Sequence, residues 1–157
     1  MYLRTSRILD AGAGTGLMGE LLAGLGYREM TAMDLSQGML EEARKKNVYR
    51  EFHQMMMGEP LDYATDSFDA VISVGVFTVG HAPASSFDEL IRITKQGGYI
   101  VFTLRPDVYE NSGFREKQKA LESAGKWKRI ELSDKFQTLP KGEPDVHHQV
   151  WVYQVTS

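Results

Sequence analysis

Two periods of apolar and polar positions alternate along this chain, and they predict strands and helices in turn. Short apolar runs predict strands at 7–9, 30–33, 52–56, 68–74 and 99–104. Between them, apolar residues at helical spacing predict helices over 16–23, 37–46, 85–94 and 113–123. Segments 128–132 and 149–155 alternate apolar and polar residues with no helix between them, which predicts an antiparallel hairpin.

The order of these elements predicts the fold. Strands that alternate with helices favour a parallel sheet with right-handed crossovers. The last two strands add an antiparallel pair at one edge. We therefore expect an α/β protein with a Rossmann-like, mostly parallel seven-stranded sheet, helices on both faces and a C-terminal antiparallel hairpin. A length of 157 residues fits one domain, 1–157.

The segment between the first strand and the first helix carries the strongest chemical signal. Gly12, Gly14 and Gly16 lack a Cβ, so a ligand can approach the backbone closely, and N–H groups at a helix N-terminus can bind a carboxylate. Asp10, at the end of the strand, is expected to offer a free carboxylate to a ligand's ammonium group. Asp34 ends the second strand 20 residues after Gly14, where a carboxylate can accept both hydroxyls of a ribose.

A competing interpretation uses the same residues. The run from Gly14 to Gly19 is a literal G-x-G-x-x-G, the fingerprint of NAD-binding domains. Two features oppose it. Gly14 comes five residues after Leu9, whereas the fingerprint normally follows the strand at once, and Asp10 would repel a pyrophosphate.

Composition excludes several other classes of protein. The chain has no cysteine, which rules out disulfides and thiolate chemistry, and a net charge of -3 gives no nucleic-acid footprint. No apolar run approaches the roughly 20 residues of a membrane span, and the first residues do not form a signal peptide. We therefore expect a cytoplasmic protein. We also expect no metal site, because the adjacent His147 and His148 would point to opposite faces of a strand.

Four segments, in this order, resemble the motifs of class I methyltransferases that use S-adenosylmethionine (SAM). Residues 8–16, ILDAGAGTG, are similar to the first motif, and 33–40, MDLSQGML, to the second. Residues 66–72 resemble the entry to the fourth strand, and 95–101 the turn into the fifth. Within that class, residues 74–81 and 85–91 look most like the methyltransferase-like proteins of the Williams–Beuren syndrome region.

The resemblance implies a SAM site, with S-adenosylhomocysteine as the product of transfer. The methionine moiety would lie against the glycine loop, the ribose at Asp34, and adenine between Leu35 and Met39 on one side and Met57 and Gly58 on the other. Many family members carry an aspartate at position 57 that bonds the adenine amino group, so the methionine here is a departure, and Glu59 or a backbone group would substitute. The complete expected set of cofactor-binding residues is Asp10, Ala11, Gly12, Gly14, Thr15, Gly16, Asp34, Leu35, Met39, Met57, Gly58, Ser73 and Val74.

The resemblance also implies a departure at the N-terminus, because the first strand is predicted at residue 7 and we expect the domain to lack the family's helical cap upstream of it. We expect a methyltransferase whose acceptor is a small molecule or a protein, and exposed apolar surface that a second copy of the chain covers. A cofactor-binding module with little or no catalysis is the alternative, followed by an NAD-binding oxidoreductase domain. His81 is a candidate general base, and Phe77 is expected to pack in the core.

Overall fold

One mixed sheet organises the protein, and the computed structural model describes residues 4–77, 82–135 and 147–157 of it. The strands are β1 (Arg7–Ala11), β2 (Glu29–Asp34), β3 (Glu51–Gln54), β4 (Phe68–Phe77), β5 (Thr94–Leu104), β6 (Trp127–Leu132) and β7 (Gln149–Val155). The helices are α1 (Leu17–Gly24), α2 (Gln37–Arg44), α3 (Ser86–Ile93), α4 (Pro106–Asn111) and α5 (Phe114–Ser123).

The strand order is β3-β2-β1-β4-β5-β7-β6. Strands β1 to β5 pair in parallel, whereas β7 runs antiparallel to both β5 and β6. The predicted fold class is therefore confirmed, including the C-terminal hairpin. Because the strand order reverses between β1 and β4, a crevice is expected at their carboxyl ends, where ligands bind in open α/β sheets.

Alternating side chains of the strands feed two apolar cores, one on each face of the sheet. Ile8, Met30 and Ala70 pack into the core that includes Leu40 of α2 and Leu22 of α1. The adjacent strand residues Leu9 and Val71 point to the opposite face and pack into a larger core with Leu90 of α3, Val108 of α4 and Leu121 of α5. This period of two places α1 and α2 on one face and the later helices on the other.

The fifth strand corrects one predicted boundary. It begins at Thr94, directly after α3, and not at Tyr99 as the sequence predicted. Gly97 and Gly98 were expected to form a turn before the strand, but they lie inside it. The partner register jumps from Phe68↔Thr94 to Ala70↔Tyr99, so the glycines form a bulge in a continuous strand.

Other boundaries differ by a few residues. Strand β3 ends at Gln54, two residues before its predicted end, and β4 continues to Phe77 past a positive-φ glycine at position 75. Helix α4 was not predicted, although Pro106 at its start is a common first residue of a helix. In the described parts of the chain, no helix has both the length and the apolar character needed to cross a membrane.

Helix α1 presents most of its leucines to solvent. Leu17 and Leu21 are 61% and 57% exposed, and Leu25, which follows the helix, is 63% exposed. The helix instead packs through Met18, Gly19 and Leu22. Leu17, Leu21 and Leu25 recur every four residues and form one exposed apolar stripe, which we call the leucine stripe.

Candidate ligand-binding site

A cavity of about 1000 Å³ opens at the carboxyl ends of β1, β2 and β4, at the point where the strand order reverses. Its volume lies at the upper end of the usual range for small-molecule sites. Nine residues of the expected cofactor set share its wall: Asp10, Gly12, Gly14, Asp34, Leu35, Met39, Met57, Gly58 and Val74. Parallel strands deliver their last residues to one edge, which is why positions distant in sequence meet here.

The loop after β1 is pinned to β2 by its own backbone. The N–H groups of Gly12 and Ala13 both donate to the carbonyl of Met33, at 2.8 and 2.9 Å. The N–H of Gly14 donates to Asp34 Oδ2 at 2.8 Å. These three amides are therefore already paired within the protein, and carboxylate binding by N–H groups at the start of α1 stays a prediction.

Gly12 is a glycine for a second reason. Its φ of +82° lies in the left-handed region, and a Cβ at this position would collide with the side chain of Val76. The space beside Gly12, where a ligand was expected to approach the backbone, is therefore occupied in part by the Val76 side chain. Any side chain at position 12 would disturb both the loop conformation and the end of β4.

Asp34 connects the two loops that border the cavity. Its Oδ2 accepts from Gly14, and its Oδ1 accepts from the N–H of Ser36 at 2.9 Å. Ser36 in turn caps α2 by accepting from the N–H of Met39 at 3.2 Å. Each carboxylate oxygen has a second lone pair, so Asp34 can still accept hydroxyl groups from a ligand in the cavity.

Asp10 is buried, and its carboxylate is not free as predicted. Only 2% of the residue is exposed, and Oδ2 accepts a hydrogen bond of 2.5 Å from the hydroxyl of Tyr49. The pKa of Asp10 is raised to about 6. Burial contributes most to the rise and the nearby charge of Asp34 adds to it, whereas the hydrogen bond from Tyr49 opposes it. Tyr49 is the residue that sequence reasoning missed, since no local pattern connects positions 10 and 49.

Most of the remaining wall is apolar. Leu35 and Met39 on one side, and Met56 on another, expose much of their side chains. Gly58 sits at a φ of +98°, and a Cβ there would lie 2.9 Å from the Pro83 ring, so the segment after β3 packs closely against the start of α3. Glu59, which the sequence indicated as a partner for adenine, also lines the wall. Further residues of the wall that the sequence did not indicate are Ala13, Leu17, Met18, Met33, Ser36, Met55, Gly75, Val76, Ala82 and Pro83.

Four expected residues lie outside the cavity wall. Ser73 is fully buried and donates to the carbonyl of Ala11 at 2.9 Å, which joins β4 to β1. Thr15 faces solvent, and Gly16 is buried with the Tyr49 ring 3.2 Å from the place of a Cβ. Ala11, Gly16 and Ser73 therefore support the loop and do not border the cavity.

The aromatic and histidine candidates separate clearly. Phe77 is 1% exposed and packs among Phe87, Phe102 and Phe114, which confirms its place in the core. His53 Nδ1 lies 2.9 Å from the Tyr63 hydroxyl, away from the cavity wall. His81 lies outside the described residues. Among residues 4–77, 82–135 and 147–157, no three His, Asp or Glu side chains are placed to hold a metal ion.

The arrangement so far defines a class: an α/β domain with a ligand cavity at the switch point of a sheet that ends in an antiparallel strand. The sequence profile of a family described as Methyltransferase domain matches residues 9–102, which is more than half of the chain. The chain belongs to this methyltransferase family. The resemblance seen in the motifs is thereby confirmed.

Relatives of known name agree with this assignment. Human Methyltransferase-like protein 27 is 36% identical over 128 residues, covering 78% of this chain and 51% of the relative, which bears out the closer resemblance to the Williams–Beuren region protein. The malonyl-[acyl-carrier protein] O-methyltransferase of Legionella pneumophila is 34% identical, with 82% of this chain and 46% of the relative covered. The chain thus spans about half the length of these relatives.

Solved structures share the fold. A SAM-dependent methyltransferase from Methanosarcina mazei superimposes with a TM-score of 0.78 at 15% identity, covering 99% of this chain and 94% of the other. The [4+2]-cyclase SpnF superimposes with a TM-score of 0.74 at 16% identity, covering 97% and 75%. The second case shows that one fold hosts more than one reaction, so the function has to be inferred from the residues of the site.

Proposed function

We propose that this chain binds SAM in the cavity and transfers its methyl group to an acceptor. The observation that carries the proposal is the charge of the wall. Its ionisable side chains are Asp10, Asp34 and Glu59, and the described wall contains no lysine, arginine or histidine. SAM presents a sulfonium and an ammonium group against one carboxylate, so its net positive charge matches this wall.

The same charge opposes NAD. A pyrophosphate placed beside the glycine loop would meet Asp10, and the described wall has no basic side chain to compensate. The glycines of the NAD-like fingerprint also have another explanation: Gly16 and Gly19 make room for the ring of Tyr49. Both points favour the nucleoside sulfonium over the dinucleotide.

In this proposal the two carboxylates bind different parts of the cofactor. Asp34 accepts the ribose hydroxyls, and Asp10 faces the ammonium group of the methionine moiety. Adenine lies between Leu35 and Met39 on one side and Met57 on the other, and Glu59 is the wall residue available to its amino group. In the transfer, the acceptor's lone pair forms the new bond to the methyl carbon, and the carbon–sulfur pair stays on sulfur, which gives S-adenosylhomocysteine.

Calorimetric titration with SAM, S-adenosylhomocysteine and NAD tests the proposal directly. We expect SAM and S-adenosylhomocysteine to bind and NAD not to bind. Asp34→Asn should weaken SAM binding, whereas Asp62→Asn, an exposed aspartate outside the wall, should not. Tight NAD binding, or SAM binding that ignores Asp34, would contradict the proposed site.

A second candidate, a SAM-binding module with little turnover, is favoured by the open apolar wall. Leu35, Met39 and Met56 are exposed, so water reaches the cavity, and methyl transfer gains from aligned reactants in a site without water. Formation of S-adenosylhomocysteine with a panel of acceptors divides the two candidates. The panel begins with malonyl-[acyl-carrier protein] and demethylmenaquinone, which appear in the names of relatives.

The acceptor we propose is a small molecule or a protein, because the net charge of -3 gives no reason to favour nucleic acid. The absence of cysteine fits a reducing compartment, so we propose a cytoplasmic protein. Fractionation of cells that express a tagged protein checks the location, and an acceptor screen checks the class.

A further inference from the structure

Tyr49 connects three elements around the loop after β1. It follows α2 in the chain, yet its hydroxyl donates to Asp10 Oδ2 at the end of β1 and accepts from the N–H of Gly19 in the first turn of α1, at 2.5 and 3.1 Å. The residue is 8% exposed, and its ring makes an edge contact with Phe52 of β3. One hydroxyl therefore joins a carboxylate of the cavity wall to a helix terminus.

Two glycines near the start of α1 leave room for the Tyr49 side chain. A Cβ at Gly19 would collide with the Tyr49 ring and hydroxyl, and a Cβ at Gly16 would lie 3.2 Å from the ring. Helix α1 therefore lies against Tyr49 at two positions that have no side chain. Such close packing fixes the hydroxyl in one place, so the carboxylate that it bonds is also held in one orientation.

We propose that Tyr49 is a positioning residue for ligand binding, which fixes the Asp10 carboxylate at the cavity wall through Oδ2 and leaves Oδ1 for the ligand. This inference rests on the proposed function, because the ligand it serves is the ammonium group of SAM. Tyr49 does not border the cavity, so its influence passes through Asp10 and the first turn of α1.

The charges around Asp10 explain why such a partner matters. Burial raises the pKa of Asp10, the Tyr49 hydrogen bond opposes that rise, and Asp34 at the end of β2 adds to it. Ile72, the β4 residue in register with Asp10, is apolar, and Glu20 in the first turn of α1 is paired with Lys46 at 3.7 Å. Tyr49 is therefore the neighbour that stabilises the ionised carboxylate, and ionised Asp10 is the form that attracts an ammonium group.

The test compares Tyr49→Phe with Tyr63→Phe in the full chain. Both changes remove one hydroxyl from a tyrosine ring, buried at position 49 and half-buried at position 63, but the Tyr63 hydroxyl bonds His53, away from the cavity. The Asp10 carboxyl carbon is followed by NMR as a function of pH without ligand, and SAM affinity is measured at several pH values. Asp10→Asn provides a second variant that keeps the tyrosine.

For Tyr49→Phe we expect the Asp10 titration to move to higher pH and SAM binding to weaken about tenfold near pH 7, the fold-change that one charge-assisted hydrogen bond represents. The loss should shrink as the pH rises. Asp10→Asn should weaken binding most at neutral and higher pH, where the wild-type carboxylate is ionised, and Tyr49→Phe added to Asp10→Asn should weaken it little further. Tyr63→Phe should leave both measurements unchanged.

An unchanged Asp10 titration in Tyr49→Phe, with SAM binding weakened equally at every pH, would show a purely structural tyrosine and overturn the proposal. Full additivity of Tyr49→Phe and Asp10→Asn would do the same. If the wild-type chain binds no SAM, the proposed function fails, and the ligand-free titration of Asp10 still decides whether Tyr49 controls this carboxylate. A Tyr49→Phe variant that does not fold leaves the decision to Asp10→Asn: unchanged SAM affinity in that variant overturns the proposal.

Discussion

The charge of Asp10 opposes folding at neutral pH. The pKa of this carboxyl rises from 3.8 to about 6, first because burial disfavours the ionised form. A carboxyl with a raised pKa binds its proton more readily in the folded state than in the unfolded chain. Its stabilising contribution is therefore complete below pH 3.8 and is lost as the pH rises through about 6.

Asp10→Asn makes that linkage measurable. Between about pH 4 and pH 7.5, the free energy of unfolding of the wild type, relative to the variant, should fall by about 2 kcal/mol. Urea unfolding at several pH values gives the difference, and the variant cancels the titration of the other carboxyl groups. A difference that stays flat over this range would show that Asp10 has an ordinary pKa.

Asp34 stabilises the loop after β1 and the start of α2, in addition to its proposed role in ligand binding. Asp34→Ala removes the acceptor of the Gly14 and Ser36 amides, so the loop after β1 and the start of α2 lose their connection. We expect a stability loss of about 2 kcal/mol in addition to weaker SAM binding, because charged hydrogen bonds are worth about 1.5–3 kcal/mol each. Chemical denaturation beside calorimetry measures both, with Asp62→Ala as the control; wild-type stability of Asp34→Ala would contradict the tie between the loops.

At the residue scale, sequence predicted positions better than partners. Asp10, Asp34 and the glycines lie where strand ends were predicted, since their places follow from apolar periodicity. The Val76 side chain fills the space that a Cβ on Gly12 would need, and the Tyr49 hydroxyl donates a hydrogen bond to Asp10 Oδ2. Such contacts join residues 39 or more positions apart, and they depend on packing that a single sequence does not encode locally.

Among the elements, helix α1 gives the clearest contrast between propensity and packing. Alanine normally stabilises a helix by up to about 1 kcal/mol over glycine. Gly24 has open space around a built Cβ, so Gly24→Ala should stabilise the protein slightly. Gly19→Ala should destabilise it by about 1–3 kcal/mol, because the new methyl group collides with Tyr49.

Thermal unfolding of the two alanine variants supplies the comparison. The expected result is a higher Tm for Gly24→Ala and a lower Tm for Gly19→Ala than for the wild type. In Tyr49→Phe, which removes the hydroxyl from the crowded position, Gly19→Ala should cost less. Equal responses of the two glycines would mean that Tyr49 does not pack against α1 as described.

Element boundaries failed where long-range pairing overrides local signals. The Gln96–Gly98 segment has the composition of a turn, but pairing with β4 on one side continues through it as a bulge. In α1, the helical spacing of leucines predicted the helix, and the face toward the sheet consists of Met18, Gly19 and Leu22. Periodicity identified the helix but not which side of it the sheet covers.

At the scale of the whole molecule, the described surface has an apolar region beside an acidic cavity. Leu17 of the leucine stripe belongs to the cavity wall, whereas Leu21 and Leu25 lie beyond it. The relatives are about twice as long as the matched region, so the activity of a whole protein of this kind is a separate question from that of this chain.

We expect this chain to associate with a second copy through the leucine stripe, because contiguous exposed apolar residues tend to find a partner surface. Sedimentation equilibrium should give a mass near twice the 17.7 kDa of one chain at high concentration. Leu21→Lys combined with Leu25→Lys should return the monomer and leave SAM affinity unchanged, since neither residue borders the cavity. Ile130→Lys, which replaces an exposed apolar residue on β6, is the matched control and should still associate. A wild-type monomer at every concentration, or a double variant that still associates, would show that the stripe is not an interface between copies of this chain.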